Sequence, residues 1–145
     1  MPGAGRPIAG SEQKTRRVIA ARSEGMCEYC GLWGYTIHHR VKQSQGGVWS
    51  PVNCIALCGH GTTGHHGWVE HHPNAAARVG LHVRPWQDPA EVMVRYRGRM
   101  ARLTDDGRVK YCTHNDSLDL TDPAYGNYTQ CVDCDTQFNT DGGPL

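Results

Sequence analysis

Two blocks decide the fold: Ile37-His38-His39-Arg40, and Val52-Asn53-Cys54-Ile55-Ala56-Leu57-Cys58-Gly59-His60-Gly61-Thr62-Thr63-Gly64-His65-His66-Gly67-Trp68-Val69-Glu70. Residues 35–41 are aromatic, β-branched and His-rich, which predicts a strand. Neighbouring strand residues face opposite ways, so His38 and His39 cannot share one role without a bulge; two His with two jobs is the natural reading. A loop over 42–51 follows, with Gly46-Gly47 as its turn and Asn53 just after Pro51. Ile55-Ala56-Leu57 is a short buried strand ending at Cys58, and 59–64 is a flexible connection. Thr62 or Thr63 can then cap a helix over 65–72 that Pro73 stops. His66 and Glu70 are four apart and share a face of it, while His65 points elsewhere. Trp68 and Val69 read as packing residues.

Upstream, 1–10 is Gly- and Pro-rich and reads as disordered. Ser11 can cap a helix running to about residue 22, with Lys14, Arg16, Arg17 and Arg22 on it and Val18 and Ile19 as apolar contacts. A short basic helix fits a solvated surface element and a phosphate-contacting one equally well. Cys27-Glu28-Tyr29-Cys30-Gly31 has the form of a zinc knuckle, with two thiolates on a tight turn relieved by Gly. A redox pair uses the same spacing. The second half of a site near Cys58, about thirty residues on, favours structural zinc.

Downstream of Pro73 the texture changes. Short strands are expected at 92–96, 99–103 and 108–111, with turns at Arg97-Gly98 and Asp106-Gly107; Asp-Gly is a strong hairpin signal. In the tail, Cys112, His114, Cys131 and Cys134 make a second candidate zinc set, spaced for a zinc-ribbon-like loop. Tyr111, Tyr125, Tyr128 and Phe138 are its candidate core. The competing reading is an acidic tail with free thiols.

The whole chain has 145 residues, 38% of them hydrophobic, with 18 Gly, seven Cys and nine His. A core that thin needs a staple, either disulfide or metal. The odd Cys count suits a disulfide framework poorly. No secretory leader is visible in the first ten residues, and no apolar run reaches the roughly 20 residues of a membrane span. The expectation is therefore a cytoplasmic protein, in a compartment where thiols stay reduced and bind zinc. Net charge is +1, but residues 1–60 carry +4, 61–100 carry +2 and 101–145 carry −5. The first two-thirds can meet a phosphate backbone, with Lys14, Arg16, Arg17, Arg40 and Lys42 as the candidate DNA-binding cations; the tail would repel it. Such a tail would dock a protein partner or shield the basic face.

The ordered set His-His-Arg, Gly-Gly, Pro-Val-Asn, Leu-Cys and His-His-Gly-Trp resembles the HNH endonucleases, in particular small bacteriophage and prophage enzymes. The resemblance spans about 16–108 and includes the early Cys-x-x-Cys and the Leu-Cys-Gly-x-Gly-Thr-Thr-Gly segment. It implies an α+β fold with a ββα-metal (His-Me finger) core stapled by structural zinc, short antiparallel strands and a small C-terminal appendage. The implied domains are a disordered N-terminus plus basic helix over 1–26, a nuclease domain over 27–110 and an acidic appendage over 111–145. His39 matches the general base, His38 and His66 the ligands of one catalytic divalent cation (Mg, Mn or Ni), and Asn53 the residue that holds strand and loop in geometry. Glu70 lies near that cation in register. The structural zinc of the family is held by four Cys; here Cys27, Cys30 and Cys58 match, and His65 stands at the fourth position, with His60 as the alternative. Cys54 reads as buried packing. The partners implied are DNA and a phage terminase, in DNA packaging or genome processing.

The chemistry calls for these residue types on independent grounds. Phosphodiester hydrolysis needs water made nucleophilic near neutral pH, and neutral imidazole has a suitable pKa. A bound cation stabilises the developing negative charge, and an uncharged Asn orients without perturbing the base. Two other function classes compete. A non-catalytic zinc-stabilised nucleic-acid-binding module would keep every Cys but not need His38, His39 and His66 together. A thiol redox protein would show titratable disulfides and no tightly held zinc.

Overall fold

A computed structural model describes residues 11–114, 117–124 and 126–139, so the expected disorder of 1–10 and the role of Tyr125 lie outside the described residues, as does the side chain of Phe138. The chain divides into two units, Met1–Lys110 and Tyr111–Leu145. It is a mixed α+β protein built from short antiparallel strands.

Helix α1 (Glu12–Ser23) starts at Ser11, whose side chain accepts from the Lys14 amide, and ends at Glu24 in the left-handed region. Its buried side, Thr15, Ile19 and Ser23, lies toward the following hairpin. Ile19 joins Cys54 and Ala56 in a small core, with Tyr35, Ile37 and Trp49 against it. Strand β1 (Thr36–His39) pairs antiparallel with β2 (Cys54–Leu57): Thr36 faces Leu57 and His39 faces Cys54. The loop between them folds back so closely on its own start that a Cβ at Gly47 would lie 1.7 Å from the Val41 carbonyl oxygen. Glycine is required there by contact, not only by turn geometry.

Helix α2 (Gly64–His71) begins one residue earlier than the sequence suggests. Thr63 sits at its N-cap position, but no side-chain cap bond forms; the Thr63 hydroxyl accepts from the His60 amide instead. α2 ends at His71, short of Pro73 as expected, but Pro73 does not end helical structure. It opens a further helix, α3 (Pro73–Arg78), where a missing N–H is harmless. Beyond it β3 (Val94–Tyr96), β4 (Arg99–Leu103) and β5 (Val109–Tyr111) form a three-stranded sheet in that order. Arg97 and Gly98 both have positive φ at the β3–β4 turn, as a tight hairpin requires. The main core gathers Ile55 and Leu57 from β2, Val69 from α2, Ala76 from α3, Leu81, and Val94, Tyr96, Ala101 and Leu103 from the sheet. The second unit has its own antiparallel sheet, β6 (Ser117–Asp122), β7 (Gly126–Cys131) and β8 (Gln137–Asn139).

Two buried ion-containing networks offset the thin apolar core. Glu28, fully buried, accepts from Arg22 through both oxygens, from the Tyr96 hydroxyl and from the Ala56 amide. Arg22 also donates to the Pro51 and Cys54 carbonyls. That helix cation is therefore committed to structure rather than to phosphate. Arg40 is a larger correction. Expected among the DNA-facing cations, it is fully buried and donates to the carbonyls of Gly80, Val52, Pro89 and Val92. Burial, with the Arg22 charge adding, pulls its pKa down to about 9. An Arg after two strand His looks like part of a basic face; four satisfied carbonyls explain why it points inward. Among the described residues no helix is long and apolar enough to cross a membrane.

Candidate metal centres

The first centre grows from the alternation of β1. His38 points to the buried side, 3% exposed, and its Nε2 lies 2.6 Å from the Leu81 carbonyl oxygen. A carbonyl only accepts, so Nε2 carries the proton and the Nδ1 lone pair is left free. Thr36, two residues back on the same face, does the equivalent for His66. Its hydroxyl donates to the Gly59 carbonyl at 2.7 Å and accepts from His66 Nδ1 at 2.6 Å. That leaves the His66 Nε2 lone pair free. Glu70, one turn after His66 on α2, brings Oε1 to 3.6 Å from His38 Nδ1 and 4.0 Å from His66 Nε2.

Three ligand atoms, two imine nitrogens and a carboxylate oxygen, thus lie within 4.8 Å of one another. Each imidazole has its remaining nitrogen fixed by an outer partner, as metal-bound His usually do. This donor set fits a divalent cation with open positions. Burial holds the His38 pKa down to about 3, opposed by the Leu81 hydrogen bond, and burial also lowers His66 against the pull of Glu70. Both rings are neutral near pH 7, the form that binds metal.

The cleft over this cluster holds about 300 Å³ and is lined by Ile37, His38, His39, Lys42, Gln43, His66 and Glu70. His39 borders the cleft outside the three-residue cluster, with its ring edge-on to Trp49 at 4.4 Å between centroids. Its Nε2 is buried without a hydrogen-bond partner among the described residues. Burial, then the nearby Arg16 charge, lowers its pKa. Arg16 stacks on the other part of this group, its guanidinium carbon 4.9 Å from the Trp49 ring centroid. Lys42 Nζ sits 3.8 Å from the second Glu70 oxygen.

Asn53 is buried and clasps the strand end. Its Oδ1 accepts from the Val41 amide at 2.8 Å, and its Nδ2 donates to the carbonyls of Val41 and Val48. Its own carbonyl accepts from the Arg40 amide. It holds the start of the Gly-Gly loop against β2 and touches no ligand atom of the cation cluster.

The second centre is Cys27, Cys30, Cys58 and His65, again with ligand atoms within 4.8 Å. Cys30 and Cys58 sulfurs are 3.8 Å apart, and His65 Nδ1 is 3.2 Å from Cys58 Sγ. These spacings suit a tetrahedral Cys3His zinc. His60 is not in the set; its Nδ1 is bonded within its own turn to Thr62. Since His65 and His66 are adjacent, a metal on one fixes the start of the helix that carries the other. Cys54 is fully buried and outside the set. The third centre, Cys112, His114, Cys131 and Cys134, lies in the second unit and has the same donor types.

Of the expected surface cations, Lys14, Arg16 and Arg17 are exposed on α1, and Lys42 is partly exposed at the cleft. His71 and His72 turn back onto the Gly67 and Trp68 carbonyls of their own helix and do not enter the cluster. Sequence reasoning missed Thr36 and Leu81. Thr36 was findable, because it shares a strand face with His38. Leu81 was not, because it acts through a backbone carbonyl brought in by α3. No protein-family model, curated protein or solved structure matches this chain.

Proposed function

We propose that this chain is a metal-dependent phosphodiesterase that cuts DNA. Within that class the reading is an HNH endonuclease of ββα-metal type, of the kind phages use in packaging or processing their genomes beside a terminase. The single observation that carries it is one cleft with two kinds of imidazole. His38 and His66 offer lone pairs to a common point with Glu70, while His39 lines the same cleft outside that set.

His38, His66 and Glu70 would hold the divalent cation, which when bound supplies charge stabilisation for the phosphate and the leaving oxygen. His39 is kept neutral by burial and so is able to take a proton. With its Nε2 buried, Nδ1 is the nitrogen left for water. Water gives that proton to His39 as its oxygen bonds phosphorus, and the bond from phosphorus to the leaving oxygen breaks. Trp49 fixes the tilt of the His39 ring, and Asn53 fixes the backbone that carries it. Arg16, stacked on Trp49 and paired with Glu12, and Lys42, beside Glu70, border the same region and would meet the phosphate backbone.

Plasmid cleavage tests this directly. Wild type should convert supercoiled DNA when Mg, Mn or Ni follows chelation, and folded, zinc-replete His39→Ala should not. If both proteins bind DNA but neither cuts with any ion, the binding-module reading replaces this one.

A further inference from the structure

The two Cys-x-x-Cys turns have the same hydrogen-bond pattern. In the first, the Cys27 amide donates to the Leu32 carbonyl at 2.7 Å and the Gly31 amide to the Cys27 carbonyl at 2.8 Å. In the second, the Cys131 amide donates to the Thr136 carbonyl at 3.0 Å and the Asp135 amide to the Cys131 carbonyl at 2.9 Å. The residue after the second Cys is left-handed in both, Gly31 at φ 80° and Asp135 at φ 61°. Such a turn aims two sulfurs at one point. The other two ligands also converge: Cys112 Sγ is 3.6 Å from Cys131 Sγ, and His114 Nδ1 is 3.4 Å from Cys134 Sγ.

What surrounds the two turns differs. Cys27 is fully buried and belongs to the main core with Ile55, Leu57 and Val69. In the second unit Cys131 is the one buried residue among those described. Leu118, Leu120 and Val132 are 55%, 37% and 42% exposed, so they supply little interior. Among the described residues the sheet has little apolar interior, and in a unit this small a metal is the usual substitute.

We propose that β6, β7 and β8 form a zinc-conditional unit. Cys112, His114, Cys131 and Cys134 take a structural zinc, the sheet exists only while it is held, and this zinc leaves before the one at Cys27, Cys30, Cys58 and His65. The order of release follows from linkage. Binding free energy at the tail site must also fold the sheet, whereas the first site is embedded in the main core through Cys27 and needs less of it. The inference is independent of the nuclease reading.

The test uses the full chain in a His66→Ala background, which removes the cation cluster from the count. Metal analysis should find about two zinc ions per chain, and about one after Cys134→Ala. Hydrogen exchange on Cys134→Ala should show amides of β6 and β7 unprotected, with those of β2 and β3 protected as before. On the unmutated tail, graded chelator should strip protection from β6–β7 at a concentration at least about tenfold below that affecting β2. A count of one before mutation, a protected β6–β7 ladder in Cys134→Ala, or simultaneous loss of protection in both units would overturn the proposal.

Discussion

Thr36→Val should weaken the cation site while leaving all three of its ligands in place. The Thr36 hydroxyl bridges His66 Nδ1, at 2.6 Å, and the Gly59 carbonyl, at 2.7 Å. Valine keeps the shape and removes both bonds. His66 then loses the partner that keeps its proton on Nδ1, and the ring is free to present N–H instead of a lone pair at Nε2. Loss of an outer partner of this kind lowers metal affinity by about 10- to 100-fold. The His66 side chain is 15% exposed, so water can replace part of the lost contact and the lower end applies. The expected loss is about tenfold in Mn affinity, or about 1.4 kcal/mol. Global stability should fall by about 0.5–1.5 kcal/mol, since one ordinary hydrogen bond to Gly59 is lost at an exposed position. Titration calorimetry with Mn on zinc-replete protein reads the first number, and urea unfolding reads the second. Thr36→Ser keeps the hydroxyl and should bind Mn nearly as wild type. Wild-type affinity in Thr36→Val, or an equal loss in Thr36→Ser, would refute the tautomer argument.

Arg40→Met should destabilise the fold by about 3–5 kcal/mol in urea unfolding, because the Gly80, Val52, Pro89 and Val92 carbonyls lose their buried donor. A loss under about 1 kcal/mol would contradict the role assigned to that guanidinium. Alanine at Lys14, Arg16 or Arg17 should instead leave stability nearly unchanged and lower the salt slope of DNA binding by about one each, read by anisotropy across a salt series. Gly47→Ala should destabilise by more than about 2 kcal/mol in the same unfolding assay, since its Cβ meets the Val41 carbonyl oxygen. Asp135→Gly should stabilise the tail by up to about 1 kcal/mol by removing a left-handed Asp, seen as slower zinc loss to chelator.

The elements legible in the sequence were those whose signal is local. Ser11, the β-branched run around Ile37, the Arg97-Gly98 and Asp106-Gly107 turns and the i,i+4 pair His66–Glu70 each announce themselves within a few residues. What could not be read depends on long-range burial. α3 begins at a Pro that reads as a stop; in the first turn its missing N–H costs nothing, and the helix is held because Ala76 reaches the main core. Arg40 reads as a surface cation because nothing nearby reveals the four carbonyls that arrive from residues 52, 80, 89 and 92. The Thr63 hydroxyl does not cap α2: it accepts from the His60 amide, and the amides it would take, His65 and His66, donate to the Cys58 sulfur and carbonyl.

These long-range contacts also bear on the cation cluster. Its three ligands come from β1 and α2, two short elements that neither propensity nor length would hold still. β1 is fixed at its end by Asn53 and by Arg40, whose backbone amide and carbonyl reach Asn53 and Val83. α2 is fixed at its start, where the His66 amide donates to the Cys58 carbonyl and His65 joins the Cys3His set. Polar clasps, and a Cys3His knuckle that could hold zinc, do here what a larger apolar core does elsewhere. It follows that disturbing the Cys27, Cys30, Cys58 and His65 set should loosen His66 even though none of them touches it through a side chain in the cation cluster. Zinc removal at that set should therefore reduce Mn affinity before it unfolds the β1–β2 hairpin, which Asn53 and Arg40 hold from the other end.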